Sequence, residues 1–168
     1  DGLLDTILDC SVRMLRAELA AIVLYDDNGK FKKFITRGTT MRVREALPEG
    51  KGLLTFVRLS LGPVRINNVS EHPAFSGSFP EGHPIVKNLL ACPIFSDEGK
   101  LMGAIYFGNK DEGFTEDDET IINALSADSA IALSRTEIIS QLKKFRHVID
   151  SAFDVIIITD TNGNITYV

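Results

Sequence analysis

Apolar and polar positions sort this chain into helices and strands. Leu3, Leu4, Ile7, Leu8, Met14 and Leu15 recur at helical spacing, with Asp5, Asp9, Arg13 and Arg16 between them, which predicts a helix over 3–16. Residues 20–25 are an apolar run closed by Asp26-Asp27-Asn28-Gly29. Asn-Gly readily takes the positive φ angles of a tight turn, so 31–36 is predicted to be the returning strand. The polar stretch 38–50 reads as a loop, and 52–61 as a short helix with Leu53, Leu54, Val57 and Leu61 on one side. A short strand is expected at 64–66. Residues 67–87 form a long connection with three His-Pro or Phe-Pro steps, at His72, Phe79 and His83. Connections this long inside a domain are often functional.

The two clearest strands are 89–95 and 101–107, joined by the turn Ser96-Asp97-Glu98-Gly99. Both are almost continuously apolar, the mark of strands covered on both faces. Helices are therefore expected on one side of their sheet and a pocket or second layer on the other. From Thr115 to about 151 the pattern is helical. Thr115 suits an N-cap and Asp118 lies three residues on, the spacing of a capping box. Farther along, Ile131, Ile138, Leu142, Phe145 and Ile149 are spaced by seven, four, three and four residues, a coiled-coil seam interrupted by Arg135. A helix this long links two domains or pairs with a copy of itself. A second hairpin is predicted at 155–159 and 165–168, around Asp160-Thr161-Asn162-Gly163. Antiparallel strands bracketed by helices give an α+β fold.

The 168 residues carry a net charge of −5 with no basic block, which argues against nucleic-acid binding. No apolar run approaches the roughly 20 residues of a membrane span. The chain opens without Met or a signal pattern and is expected to be a segment of a longer protein. Cys10 and Cys92 fall in different elements without metal-site spacing, so a reduced, cytoplasmic setting with no metal is expected.

Two segments carry a family resemblance. Leu89-Leu90-Ala91-Cys92-Pro93-Ile94 followed by Gly103-Ala104-Ile105-Tyr106 resembles the paired central strands of GAF domains. Asn109-Lys110, Phe114 and Asp118-Glu119 are similar to that family's motif after the last strand. The resemblance covers roughly residues 3–140. It implies a GAF-like central antiparallel sheet, with N- and C-terminal helices on one face and a ligand-pocket loop layer on the other. It also implies a homodimer formed through the terminal helices. Phe145-Arg146-His147-Val148-Ile149-Asp150-Ser151 and the segment from Asp154 to Asp160 resemble the entry of a PAS domain. The organisation expected is a GAF sensory domain at 1–140, a signalling helix at 141–153 and the start of a PAS domain at 154–168. Such tandem modules imply a bacterial sensor histidine kinase or cyclic-dinucleotide enzyme whose output domain lies elsewhere.

The ligand-pocket candidates are Phe75, Phe79, His83, Ala91 and Tyr106. The loop around His83 resembles that of heme-binding GAF domains, which would make His83 an iron ligand and Tyr106 a distal residue; the plainer reading is that His83-Pro84 shapes the loop. Lys110 and Asp118 read as a salt bridge bracing the last loop, although the same motif accompanies ligand binding in cyclic-nucleotide GAF domains. Glu116 to Glu119 suits the positive end of a helix. Cys92 reads as an inert core thiol. Bilin attachment and methionine-sulfoxide reduction need cysteine patterns that differ from those at Cys10 and Cys92. No acid, base and nucleophile assemble, so the segment is expected not to be an enzyme. The expected function is small-molecule sensing, relayed through the long helix. The alternatives are a ligand-free dimerisation and relay module, and a heme-based redox or gas sensor.

Overall fold

The computed structural model describes residues 2–38, 52–79, 83–150 and 158–167. The loop expected at 38–50 and the first part of the strand expected at 155–159 fall almost wholly outside those residues. The chain divides into two units, Asp1–Leu133 and Ser134–Val168.

In the first unit the order is α1 (Gly2–Leu15), β1 (Leu19–Tyr25), β2 (Phe31–Arg37), α2 (Leu53–Leu59), β3 (Val64–Ile66), a 3-10 turn (Val69–Glu71), β4 (Leu89–Phe95), β5 (Leu101–Gly108) and the start of α3 (Glu116–Asp150). The five strands form one sheet in the order β2-β1-β5-β4-β3, and every neighbouring pair is antiparallel. The β1–β2 turn forms because Asp26 Oδ1 accepts from the Asn28 amide at 2.9 Å and the Lys30 amide at 2.8 Å, while Gly29 takes a φ of +71°. The helix expected over 52–61 is shorter, because Ser60 is extended and its hydroxyl donates to the Val57 carbonyl at 2.7 Å.

The apolar strands are buried on both faces, with a period of two. Ile22, Leu90, Cys92, Ile94, Ile105 and Phe107 face Leu4, Leu8 and Leu15 of α1 and Ile122 and Ala130 of α3. Ala21, Val23, Tyr25, Leu89, Ala91, Ala104 and Tyr106 face the opposite way, toward Val57 of α2 and Val69. Two details fix the sheet's centre. Pro93 has no amide hydrogen to donate, and β3 begins only at Val64, opposite Ala91, so it does not reach Pro93 of β4. Its carbonyl instead accepts from Ser126 Oγ of α3 at 2.6 Å, tying helix to sheet. At Gly103 a Cβ would stand 2.4 Å from the Val23 carbonyl, so only glycine allows this approach of β5 to β1.

In the second unit α3 continues to Asp150, and β6 (Ile158–Thr159) pairs antiparallel with β7 (Ile165–Tyr167). Asp160 repeats the chemistry of Asp26, its Oδ1 accepting from the Asn162 amide at 2.8 Å and the Asn164 amide at 2.9 Å. Ile138, Ile139, Leu142, Phe145 and Val148 of α3 are each more than half exposed. No helix among the described residues is long and apolar enough to cross a membrane.

Candidate functional site

Two parts of the first unit carry the polar organisation of this fold: a braced loop at the end of β5, and the sheet face turned away from α1 and α3.

The brace begins where β5 ends. Asn109 takes a left-handed φ of +59°, a conformation Asn tolerates better than most residues. Its side chain accepts from the Lys87 amide at 2.8 Å and donates to the Ile85 carbonyl at 2.8 Å. Asn88, buried at the head of β4, accepts from the Lys110 amide at 2.9 Å and donates to the Lys110 carbonyl at 2.8 Å. The Lys110 ammonium then donates to both oxygens of Asp118, at 2.9 and 2.6 Å. Asp118 Oδ2 also accepts from the Thr115 amide at 2.8 Å, and Thr115 Oγ1 accepts from the Asp118 amide at 3.4 Å. That reciprocal pair is a capping box, and it starts α3 at a fixed place. Burial pushes the Asp118 carboxyl up, but the Lys110 ammonium and the Thr115 donors outweigh it and hold it below the ordinary range.

Phe114, 2% exposed, plugs the core beneath this loop. Its amide donates to Asn67 Oδ1 at 2.9 Å and its carbonyl accepts from Asn67 Nδ2 at 3.1 Å. Arg65 of β3 pairs with Glu119 at 2.6 Å. Asn109, Lys110, Phe114, Asp118 and Glu119 thus form one polar clasp joining β3, β4, β5 and α3. Asn67, Asn88 and Arg65 complete it. They were missing from the sequence reading because their partners lie 22 to 54 residues away.

The other sheet face is floored by small side chains. Tyr106 stands in register between Ala21 of β1 and Ala91 of β4, and Ala104 lies opposite Val23. Tyr25 and Tyr106 are each 6% exposed. Neither hydroxyl meets strict hydrogen-bond geometry with a described residue, but the two phenols lie close enough for a hydrogen bond to each other that lowers Tyr25 and raises Tyr106. Burial raises both phenols, Tyr106 well above the ordinary value. Because these pKa values are raised, the folded state resists losing the protons. Stability from this pair is therefore unaffected below about pH 10, the ordinary tyrosine value, and falls as pH rises beyond it. In an alkaline titration followed at 295 nm, the absorbance assigned to Tyr25 and Tyr106 by Phe substitution is expected to rise only together with unfolding.

Beside this face lies a pocket of about 290 Å³, lined by Asn68, Val69, Ser70, Phe75, Phe79, Ile85, Val86 and Lys87. Phe75, Phe79 and His83 form an aromatic run. Phe75 and Phe79 have centroids 5.0 Å apart, and Phe79 stacks on His83 at 5.2 Å with the rings 6° from parallel. His83 Nδ1 lies 2.6 Å from the Pro84 carbonyl. Of the five pocket candidates, Phe75 and Phe79 line the pocket, whereas His83, Ala91 and Tyr106 do not. Ala91 and Tyr106 are buried in the sheet face behind it.

A model of the GAF domain family matches residues 1–134. This chain belongs to the GAF family. Solved GAF-fold structures resemble it at low identity. One is the GAF domain of a phosphoenolpyruvate-protein phosphotransferase from Coxiella burnetii, 24% identical with a TM-score of 0.64, covering 78% of this chain and 81% of that one. A domain of a putative two-component sensor histidine kinase from Sinorhizobium meliloti is 15% identical with a TM-score of 0.55, covering 84% and 96%. A type II free methionine-R-sulfoxide reductase from Thermoplasma acidophilum is 16% identical with a TM-score of 0.60, covering 77% and 88%.

The pocket described above does not fit heme. A pocket of about 290 Å³ sits at the bottom of the small-molecule range of about 300–1,000 Å³ and is too small for a porphyrin, and His83 is not in its lining. His83 instead caps an aromatic stack. Purified protein, with or without added hemin, is expected to show no Soret band, and His83→Ala is expected to leave the spectrum unchanged. Cys92 is 2% exposed on the face covered by α1 and α3, and burial raises its thiol, as suits an inert core residue. Cys10 is exposed on α1.

Proposed function

We propose that this GAF module senses a small molecule for a bacterial signal-transduction protein and passes ligand state along α3. The observation that carries this reading is the pocket of about 290 Å³ walled by Phe75, Phe79 and Val86, which pack against a sheet face floored by Ala21, Ala91 and Ala104. Solved relatives of the same fold that come from a sensor histidine kinase and a chemotaxis protein support the setting. The ligand enters between the sheet and the 67–87 connection. It shifts the balance of two arrangements only as far as it binds one better than the other. The clasp from Lys110 to Asp118 makes the start of α3 part of the site's frame. Residues 154–168 follow that helix, and their sequence resemblance alone reads them as the entry of a PAS domain. The exposed apolar residues of α3 support a homodimer through the terminal helices.

A regulatory role fits better than an enzymatic one. Free methionine-R-sulfoxide reductases share the fold, but here one cysteine is exposed on α1 and the other buried under the helices. The test of sensing is a thermal-shift screen with a cytosolic small-molecule extract. A rise in melting temperature that Phe79→Ala reduces supports it. No shift with any fraction favours the ligand-free relay.

A further inference from the structure

The pocket beside the sheet is graded from buried apolar residues to exposed polar ones. Val69 is fully buried, and Phe75, Phe79 and Val86 are half-buried beside it. Asn68, Ser70, Ile85 and Lys87 also line the pocket and are exposed. We propose, resting on the sensing reading above, that this pocket takes a small monocarboxylic acid with a single-ring apolar body. The ring lies against Val69, Phe75, Phe79 and Val86, and the carboxylate lies beside Lys87 at the exposed edge.

Charge selects the acid. Among the described residues that line the pocket, Lys87 is the only charged one. No carboxylate of the described residues forms an ion pair with its ammonium. The other cations of this unit that could serve an anion are already held, Lys110 by Asp118, Arg65 by Glu119, and Arg37 by Asp5 and Asp9.

The neutral polar groups favour an acceptor in the same way. The Ser70 hydroxyl donates to Asn68 Oδ1 at 2.7 Å, so the Asn68 carboxamide offers its NH2 as a donor. The carbonyls that a ligand cation would seek are engaged. That of Lys87 accepts from the Val69 amide at 2.9 Å, and that of Ile85 accepts from Asn109 Nδ2 at 2.8 Å.

Size and shape select the body. About 290 Å³ suits one ring, and the Phe75 and Phe79 rings, with centroids 5.0 Å apart, give it aromatic walls. Because Lys87 is exposed, the carboxylate keeps part of its hydration. Its desolvation cost is therefore small, and its attraction to Lys87 is modest and salt-sensitive.

Phenylacetate, phenylacetamide and phenethylamine test this, because they share one ring and differ in the terminal group. Binding is read from the amide resonances of Val69, Phe75 and Val86. The wild type is expected to bind phenylacetate about 5-fold tighter than phenylacetamide, with phenethylamine weakest, and added salt narrows the gap. Lys87→Met is expected to bind the acid and the amide alike, and Lys87→Glu to bind phenethylamine tightest. Both variants are expected to melt with the wild type, because Lys87 makes its structural bonds through its backbone. Phe79→Ala is expected to weaken all three ligands and keep their order. Equal binding of acid and amide by the wild type overturns the proposal. So does an unchanged preference for the acid in Lys87→Glu, or no shift with phenylacetate at millimolar concentration. If any of those results comes with a positive extract screen, only the acid class falls. If the extract screen is silent too, the sensing reading falls with it.

Discussion

Replacing Asp118 with Ala is expected to destabilise the module by about 3 kcal/mol, a drop in melting temperature of roughly 6–12 °C. Asp118 is 5% exposed and the Lys110 side chain 18%. Removing the carboxylate leaves the Lys110 ammonium largely buried beside the Phe114 ring, 5.9 Å from its centroid, without its counter-ion. The same change removes the acceptor for the Thr115 amide and with it half of the capping box that opens α3. The loss is not the worth of the ion pair alone, so the double variant Lys110→Met/Asp118→Ala is expected to be more stable than Asp118→Ala. The pH dependence has a definite sign. Because the folded carboxyl titrates below its unfolded value of about 3.9, its stabilisation is complete above that value. It is lost as pH falls through the lower folded value, so the gap between wild type and Asp118→Asn closes in acid. Chemical denaturation at pH 7 and pH 3 checks both points.

Pairing two charges into the apolar stripe of α3 is expected to dissociate the homodimer proposed above. The variant Ile138→Glu/Leu142→Glu places like charges one helical turn apart, at positions 56% and 62% exposed in the single chain. Each buried seam residue of this kind contributes about 2 kcal/mol to a helical dimer, so the dissociation constant should rise at least about 100-fold. Sedimentation velocity at micromolar protein reads this directly. The wild type sediments as a dimer and the variant as a monomer, with unchanged melting of the first unit. A monomeric wild type would contradict the dimer and leave the exposed residues of α3 without a role in pairing.

Much of the architecture was legible in the sequence because its signals are local. The continuous apolar runs of β4 and β5 announced strands covered on both faces, and the Asp-Asn-Gly chemistry after Tyr25 announced a hairpin. Thr115 and Asp118 announced the start of α3 from a spacing of three residues. The sheet face behind the pocket was less legible. Tyr106 was picked out by its strand position, but Tyr25 was not, because its nearness to Tyr106 depends on the antiparallel register of β1 on β5. That register pairs residues more than eighty positions apart, as Ala21 with Tyr106. The 3-10 turn Val69–Glu71 inside the long connection was also hidden. It is held by a backbone bond from the Val69 amide to the Lys87 carbonyl at 2.9 Å, a closure no local pattern encodes. His83 drew attention as an isolated histidine in a loop. Its stacking on Phe79 is a packing role that sequence spacing does not distinguish from ligation.

Amide hydrogen exchange of the full chain, equilibrated with a cytosolic small-molecule extract and with buffer alone, tests the sensing account most directly. The account predicts slowed exchange in β5 and the 67–79 connection together with altered exchange across residues 134–150 of α3. Identical exchange with and without extract, or a change confined to the pocket while α3 stays the same, would contradict it.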